Sequence, residues 1–268
     1  MDIAGYKRIE TYMLEEMEEV DYAHGKEHVY RVLANALDIM EHIDDKCDID
    51  ILIVSSLLHD IGRVDQKKKL DVCHAEIGSK KAYEYLLAAG WEESRAQLVS
   101  NAILTHRQKK KRQANSTEAR ILYDADKLDS LGLIGIARML MYGGMIDEPL
   151  YVLDKDGNII TESTLNEKSS FFQEFSLKLG VIESLYTEYA KNLARKRLND
   201  AVVVCNKLKI EINQCRRDSY IRQFCSVEEK KLVNILFPVY GILPVLWKER
   251  RHYLDGSLHE SKYFNSDY

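Results

Sequence analysis

The residues able to do chemistry in this chain are histidines and aspartates, and they stand where apolar helical runs begin or end. His59-Asp60 closes the run SSLL in SSLLHDIG. Both side chains point inward only if something polar lies there. A divalent cation would satisfy both, because imidazole nitrogen and carboxylate oxygen suit Mn, Fe, Zn, Ni or Co. By itself the dipeptide fits better a helix end with a solvated aspartate and a histidine on the last carbonyls. Two other places weigh against that simpler account. His28, in HGKEHVYRV, precedes an apolar stripe and has Arg31 one turn away. Asp126, in ILYDADKLDSLG, is bracketed by Ile121, Leu122, Leu128 and Leu131, with Asp129 about one turn further on. Charges set among such neighbours are costly to bury without a partner. Three separate helical runs therefore each carry a metal-competent residue on the core face.

Other chemistries find no support. There is no Gly-x-Ser-x-Gly elbow, no Walker loop and no Gly-x-Gly-x-x-Gly, so a nucleotide would be held by metal and basic side chains. The five cysteines are never spaced Cys-x-x-Cys, which argues against a zinc ribbon or a disulfide framework and fits a reducing cytoplasm. With 38 Lys+Arg against 43 Asp+Glu, the formal net charge is −5, and a generic nucleic-acid coat is excluded. Two basic runs remain, Lys67 to Lys69 and Arg107 to Arg112. Such runs are usually solvated loops, but both lie directly beside candidate ligands. No aromatic residues interleave with them, so RNA or DNA is not the expected partner.

The elements that must position these groups are helical. Apolar residues recur at helical spacing in Val29, Val32, Leu33, Ala36, Leu37 and Met40, then in Ile51, Leu52, Val54, Ser55 and Leu58. Similar patterns run through 82–89, 96–104 and 119–131, and one resumes from about Ser169 to Arg217. Gly25, Gly62, Gly90 and Gly143-Gly144 punctuate them. Only PLYVLDKDGNIITES reads as β, with Asp156-Gly157 between two short runs, which predicts a hairpin over about 149–163. Its Asp154, Asp156 and Asn158 lack the glutamate a calcium loop needs at position twelve. The expected architecture is all-α with one inserted β-hairpin. Residues 1–215 form the main domain, and 216–268 an extension packing on it or on a partner. The apolar stretch Leu232 to Trp247 is shorter than the roughly 20 residues of a membrane span and holds Asn234, Gly241 and two prolines. A soluble cytoplasmic protein is expected, with that stretch as one way of building a homo-oligomer.

These motifs resemble the HD-domain metal-dependent phosphohydrolases, whose pattern H…HD…D is matched by His28, His59, Asp60 and Asp126. The closer likeness is to small bacterial HD hydrolases that act as nucleotide pyrophosphohydrolases. It is carried by HGKEHVYRV, LLHDIG, DADKLDSLGLIGIARML, YGGMIDEPLY and LYTEYAKNLARKR, over roughly residues 20 to 200. The resemblance implies an HD-domain helical bundle holding one or two divalent ions, Mn first, with Fe, Ni, Co, Zn or Mg as alternatives. His74, in CHAEIGSKKA, and His106, in AILTHR, resemble the positions that hold a second ion in HD proteins with two metals. Asp60 would then bridge two ions about 3.5–4 Å apart. On the other reading His74 opens its helix and His106 ends its own on solvent. The chain departs from the family in reading His24-Gly25 where His-Asp is usual. His24 is either a group supporting the ligands or substrate, or a plain surface residue.

The implied reaction is hydrolysis of a nucleoside or deoxynucleoside triphosphate to monophosphate and pyrophosphate, by a metal-acidified water attacking phosphorus in line. Asp65 or Asp129 is the candidate general base. His24, Arg31, Arg63, Lys127 and Arg138 are the candidate substrate contacts; a buried structural ion pair is the alternative for Arg138. Within enzymes, a nucleotide phosphodiesterase or phosphomonoesterase would use the same ligands. A non-catalytic metal- or nucleotide-binding regulatory module, or a purely structural helical protein, stands outside them.

Overall fold

The computed structural model describes residues 1–69, 71–107, 113–162 and 169–214. Internal contacts divide the chain into Met1–Val203 and Val204–Tyr268. Of the second unit only 204–214, the last turns of a long helix, are described. The expected extension from 216 onward, including Leu232 to Trp247, lies outside the described residues.

The first unit is all-α. Its helices are α1 (Ile3–Glu16), α2 (Lys26–Glu41), α3 (Ile49–Leu58), α4 (Arg63–Lys68), α5 (His74–Ala88), α6 (Glu93–Thr105), α7 (Thr117–Asp129), α8 (Gly132–Met145) and α9 (Phe171–Lys178). A 3-10 turn, Leu179–Ser184, and α10 (Glu188–Gln214) follow. Helix α3, IDILIVSSLL, is apolar nearly all round, which a helix tolerates only when surrounded. Seven of its ten residues are buried. It lies against α1, α2, α6 and α7, while α2 packs on α7 and α5 on α6. Asp48 starts α3 by accepting from the amides of Asp50 (3.0 Å) and Ile51 (3.2 Å), and Ser116 caps α7 through the Ala119 amide at 3.1 Å. Two apolar clusters flank the α3 end that carries His59-Asp60. One gathers Val32, Leu52, Leu122 and Leu128, the other Val29, Leu58, Ile61 and Ile103.

The hairpin does not form. Among the described residues there is no strand, only an isolated antiparallel bridge between Leu153 and Ile159. The turn is held from inside: the Asp154 carboxylate accepts from the amides of Asp156 (2.9 Å) and Asn158 (2.7 Å). Gly157 takes φ 81°. A carboxylate closing its own loop makes a turn without needing strands. Residue 163, where the expected hairpin ends, is outside the described residues.

The helical pattern from Ser169 is also interrupted. It breaks after α9 and again before α10, because Asp124 of α7 accepts from the amides of Tyr186 and Thr187, both at 2.8 Å, and from the Thr187 hydroxyl at 2.7 Å. That buried carboxylate takes up the orphan amides at the start of α10. Among the described residues no helix is long and apolar enough to cross a membrane.

Candidate metal centre

The HD turn is held close to α5 by a missing side chain. A Cβ on Gly62 would stand 2.2 Å from the His74 carbonyl oxygen and 2.7 Å from the Gly78 amide. Only glycine lets the Asp60 turn and the start of α5 approach so nearly. His74 is thereby brought to Asp60, as His106 is by the end of α6, and His28 by α2 lying on α7.

Each of these four imidazoles commits one nitrogen to the protein. His59 Nδ1 donates to the Ser56 carbonyl (2.8 Å) and His106 Nδ1 to the Ile103 carbonyl (2.6 Å). His28 Nδ1 donates to Asp129 Oδ2 at 2.7 Å, and His74 Nδ1 to Gln66 Oε1 at 2.6 Å. The Gln66 amide is oriented by its own bond to the Val72 carbonyl, 3.0 Å. Each Nε2 is therefore the nitrogen that faces the other candidate ligands. These ends meet in pairs, His28 with His59 at 3.2 Å and His74 with His106 at 3.3 Å.

Asp60 lies between the pairs. Its Oδ2 is 3.4 Å from His28 Nε2 and 3.5 Å from His59 Nε2. Its Oδ1 is 3.3 Å from His74 Nε2 and 3.6 Å from His106 Nε2. Oδ1 is buried with no hydrogen-bond donor. Asp126 Oδ1 approaches His28 Nε2 at 3.4 Å. His28, His59 and Asp60 form one buried group whose ligand atoms all lie within 4.8 Å, and Asp60, His74 and His106 form another. The Nε2 lone pairs of His74 and His106, facing each other beside the orphaned Asp60 oxygen, repel unless a cation lies among them. The donor set fits divalent ions, with Asp60 common to both groups.

His28 and His74 stand in opposite electrostatic surroundings. Burial opposes charge on His28, but hydrogen bonds with Asp126, Asp129 and Asp60 outweigh it and raise its pKa to about 9. Burial pushes His74 down to about 2 and His106 in the same direction. Burial also works against ionising Asp60, yet Arg63 and the surrounding imidazoles hold its carboxyl well below the usual range. Asp126 is likewise held down, against burial, by Lys127 and His28.

His74 and His106 of the second group, with Asp126, line a cavity of about 1010 Å³. Arg63, Lys67, Arg107, Lys127, Arg138 and Lys178 contribute cations to its wall, and Met139, Tyr142, Met145 and Ile146 an apolar side.

Residues 25–131 match the family model described as HD domain. Over these residues, which hold all six candidate ligands, the chain carries an HD domain. It is similar to YpgQ of Bacillus subtilis, 26% identical over 210 residues, which cover 77% of this chain and 93% of that protein. A crystal structure of a predicted HD superfamily hydrolase from an uncultured Thermotogales bacterium is 27% identical, with a TM-score of 0.54 over 79% of this chain and 99% of the other. A crystal structure of YpgQ in complex with ADP shares the fold, with a TM-score of 0.59, 24% identity, and coverage of 77% and 97%.

Within this HD frame, three expected site residues take other positions. Asp129 does not face the cavity. Its carboxylate accepts from His28 Nδ1, from Arg31 Nε (2.6 Å) and Nη2 (3.1 Å), and from Arg138 Nη1 (2.8 Å). With both oxygens engaged and only 2% exposed, it orients His28. Arg31 is held by Asp129 and is absent from the cavity wall. Asp65 pairs with Lys81 at 3.1 Å, also away from the wall.

Arg63, bonded to Asp60, Lys127, 2.7 Å from Asp126, and Arg138 all line the cavity. So does His24, although α2 starts only after Gly25. Asp21 holds it in a turn, taking the Ala23 and His24 amides and His24 Nδ1 at 2.9 Å. Of the basic run, Arg107 reaches the wall and 108–112 lie outside the described residues. Sequence reasoning missed Gln66, Asp124 and Lys178, none of which stands in a motif that singles it out.

Proposed function

We propose that this chain hydrolyses nucleoside triphosphates to monophosphate and pyrophosphate, with two divalent ions, Mn first. His28, His59, Asp60 and Asp126 would hold one ion, and Asp60, His74 and His106 the other. Such ions supply Lewis acidity towards phosphoryl oxygens and lower the pKa of water towards neutrality.

The observation carrying the proposal is the pair of buried His/Asp groups sharing Asp60, the second of which faces a cation-lined cavity through His74 and His106. Asp129 fixes the His28 tautomer, and Arg63 neutralises the part of Asp60 that faces it. Lys127 and Arg138 present positive charge beside the same floor, where negative charge builds up as phosphorus is attacked. Met139, Tyr142, Met145 and Ile146 offer a face that a base and sugar can cover without losing hydrogen bonds. YpgQ in complex with ADP supports a nucleotide as the ligand class.

The test is product analysis on a panel of ribo- and deoxyribonucleoside triphosphates with Mn added. Pyrophosphate in equal amount to monophosphate is expected. Release of orthophosphate alone, or turnover only of phosphodiesters or monophosphates, would overturn the proposal in favour of the other phosphohydrolase reactions.

A further inference from the structure

Five of the six cations on the cavity wall already have a polar neighbour. Arg63 binds Asp60, Lys67 the Glu19 carbonyl, Lys127 Asp126 and Arg138 Asp129, and Arg107 Nη1 lies 3.3 Å from His74 Nδ1. Lys178 is the exception. It ends α9, whose Phe171, Phe172 and Phe175 are buried, and it is itself half-buried. Among the described residues its ammonium has no hydrogen bond and no ion pair.

Glu174, one turn earlier and also on the wall, is the natural partner for such a lysine. Its carboxylate instead accepts from the Ser169 hydroxyl at 2.9 Å. A half-buried charge without a counter-charge is unfavourable. Burial and then the Lys127 charge push the Lys178 pKa down, against Glu174 and Asp126. Two lysines that oppose each other across one corner of a cavity are relieved by an anion between them.

We propose that Lys178 is the contact for the outer phosphates of a polyphosphate, so that the cavity separates nucleoside triphosphates from monophosphates at this residue. The inference rests on the nucleotide reading above. The reacting phosphate lies at the two His/Asp groups, where Arg63 is tied to Asp60, Lys127 to Asp126 and Arg138 to Asp129. Phosphates beyond it meet the one ammonium among the described residues of the wall that no protein group has claimed. Lys178 lies outside residues 25–131, so chain-length selection is supplied by a helix added to the HD domain. The opposing account is that Lys178 only neutralises the last carbonyls of α9.

The test is calorimetric binding to the purified full chain in excess Mn, comparing wild type, Lys178→Met and Lys178→Arg. The ligands are the α,β-methylene analogue of ATP, which resists cleavage between those phosphates, and AMP. Loss of one charge-assisted contact should weaken the analogue by about tenfold or more in Lys178→Met. AMP affinity should stay within about twofold, and Lys178→Arg should keep the analogue within about threefold. Equal weakening of both ligands, or none, overturns the proposal, as does a lowered Tm with unchanged binding, which is what the helix-end account predicts. The two readings fail separately. Wild type that binds the analogue but releases no pyrophosphate from ATP defeats the reaction and leaves Lys178 standing. Pyrophosphate release with unchanged analogue binding in Lys178→Met does the reverse.

Discussion

Replacing Asp129 by Asn separates an orienting carboxylate from a general base. The Asp129 side chain accepts four hydrogen bonds, from His28 Nδ1, two nitrogens of Arg31, and Arg138 Nη1, at 2.6 to 3.1 Å. An amide of the same shape keeps one acceptor oxygen and turns an NH2 towards the remaining donors. At least two charge-assisted bonds are lost, each of about 1.5–3 kcal/mol. Arg31 is 36% exposed, so water replaces part of its share, and the expected stability cost is about 2–4 kcal/mol. His28 loses the partner that fixes its tautomer, which should weaken metal binding about 10–100-fold. Urea unfolding gives the first quantity, and Mn binding followed by electron paramagnetic resonance gives the second. Metal affinity within about twofold of wild type would refute the reasoning. If kcat fell while affinity held and the acidic limb of the pH profile vanished, Asp129 would be the base after all.

Gly62→Ala places a Cβ 2.2 Å from the His74 carbonyl, so α5 must retreat from the HD turn. We expect a loss of about 1–3 kcal/mol in urea unfolding, with metal content falling towards that of His74→Ala; wild-type metal content would contradict this. Asp124→Ala orphans two amides and a hydroxyl at the start of α10 and should cost about 2–4 kcal/mol, whereas a cost below about 0.5 kcal/mol would deny the cap. The Cys47 thiol is pushed up to about 12 by burial and then by Glu118 and Asp48. A raised acid stays protonated, so iodoacetamide at pH 8.5 should label Cys47 at least about tenfold more slowly in the native chain than in urea; equal rates would place the thiol in the open.

The ligand set was legible wherever a polar residue interrupts an apolar helical run. His28, His59 and Asp126 all show that pattern, and Asp60 follows His59 at the end of α3, seven of whose ten residues are buried. Convergence of His74 and His106 was open from sequence alone, because it depends on how nearly α5 approaches α3. Gly62 and Gly78 permit that approach, but their spacing states no distance. The engagement of Asp129 was hidden, since Arg31 lies 98 residues away from it and the pairing exists only once α2 lies on α7. A carboxylate near the ligands thus read as a base when it is an anchor for His28. Remote contacts also explain the two differences in fold. Asp124 breaks the helical pattern at Tyr186 and Thr187, 62 and 63 residues away, and Asp154 closes the 154–158 turn by itself, so a good turn signal produced no strands.

Elemental analysis of the purified protein after Mn loading, wild type beside Asp60→Ala, tests the central claim most directly. A carboxylate shared by both His/Asp groups predicts about two equivalents of metal in wild type and loss of both in the variant. Wild-type protein without metal, or Asp60→Ala with the wild-type content, would contradict it.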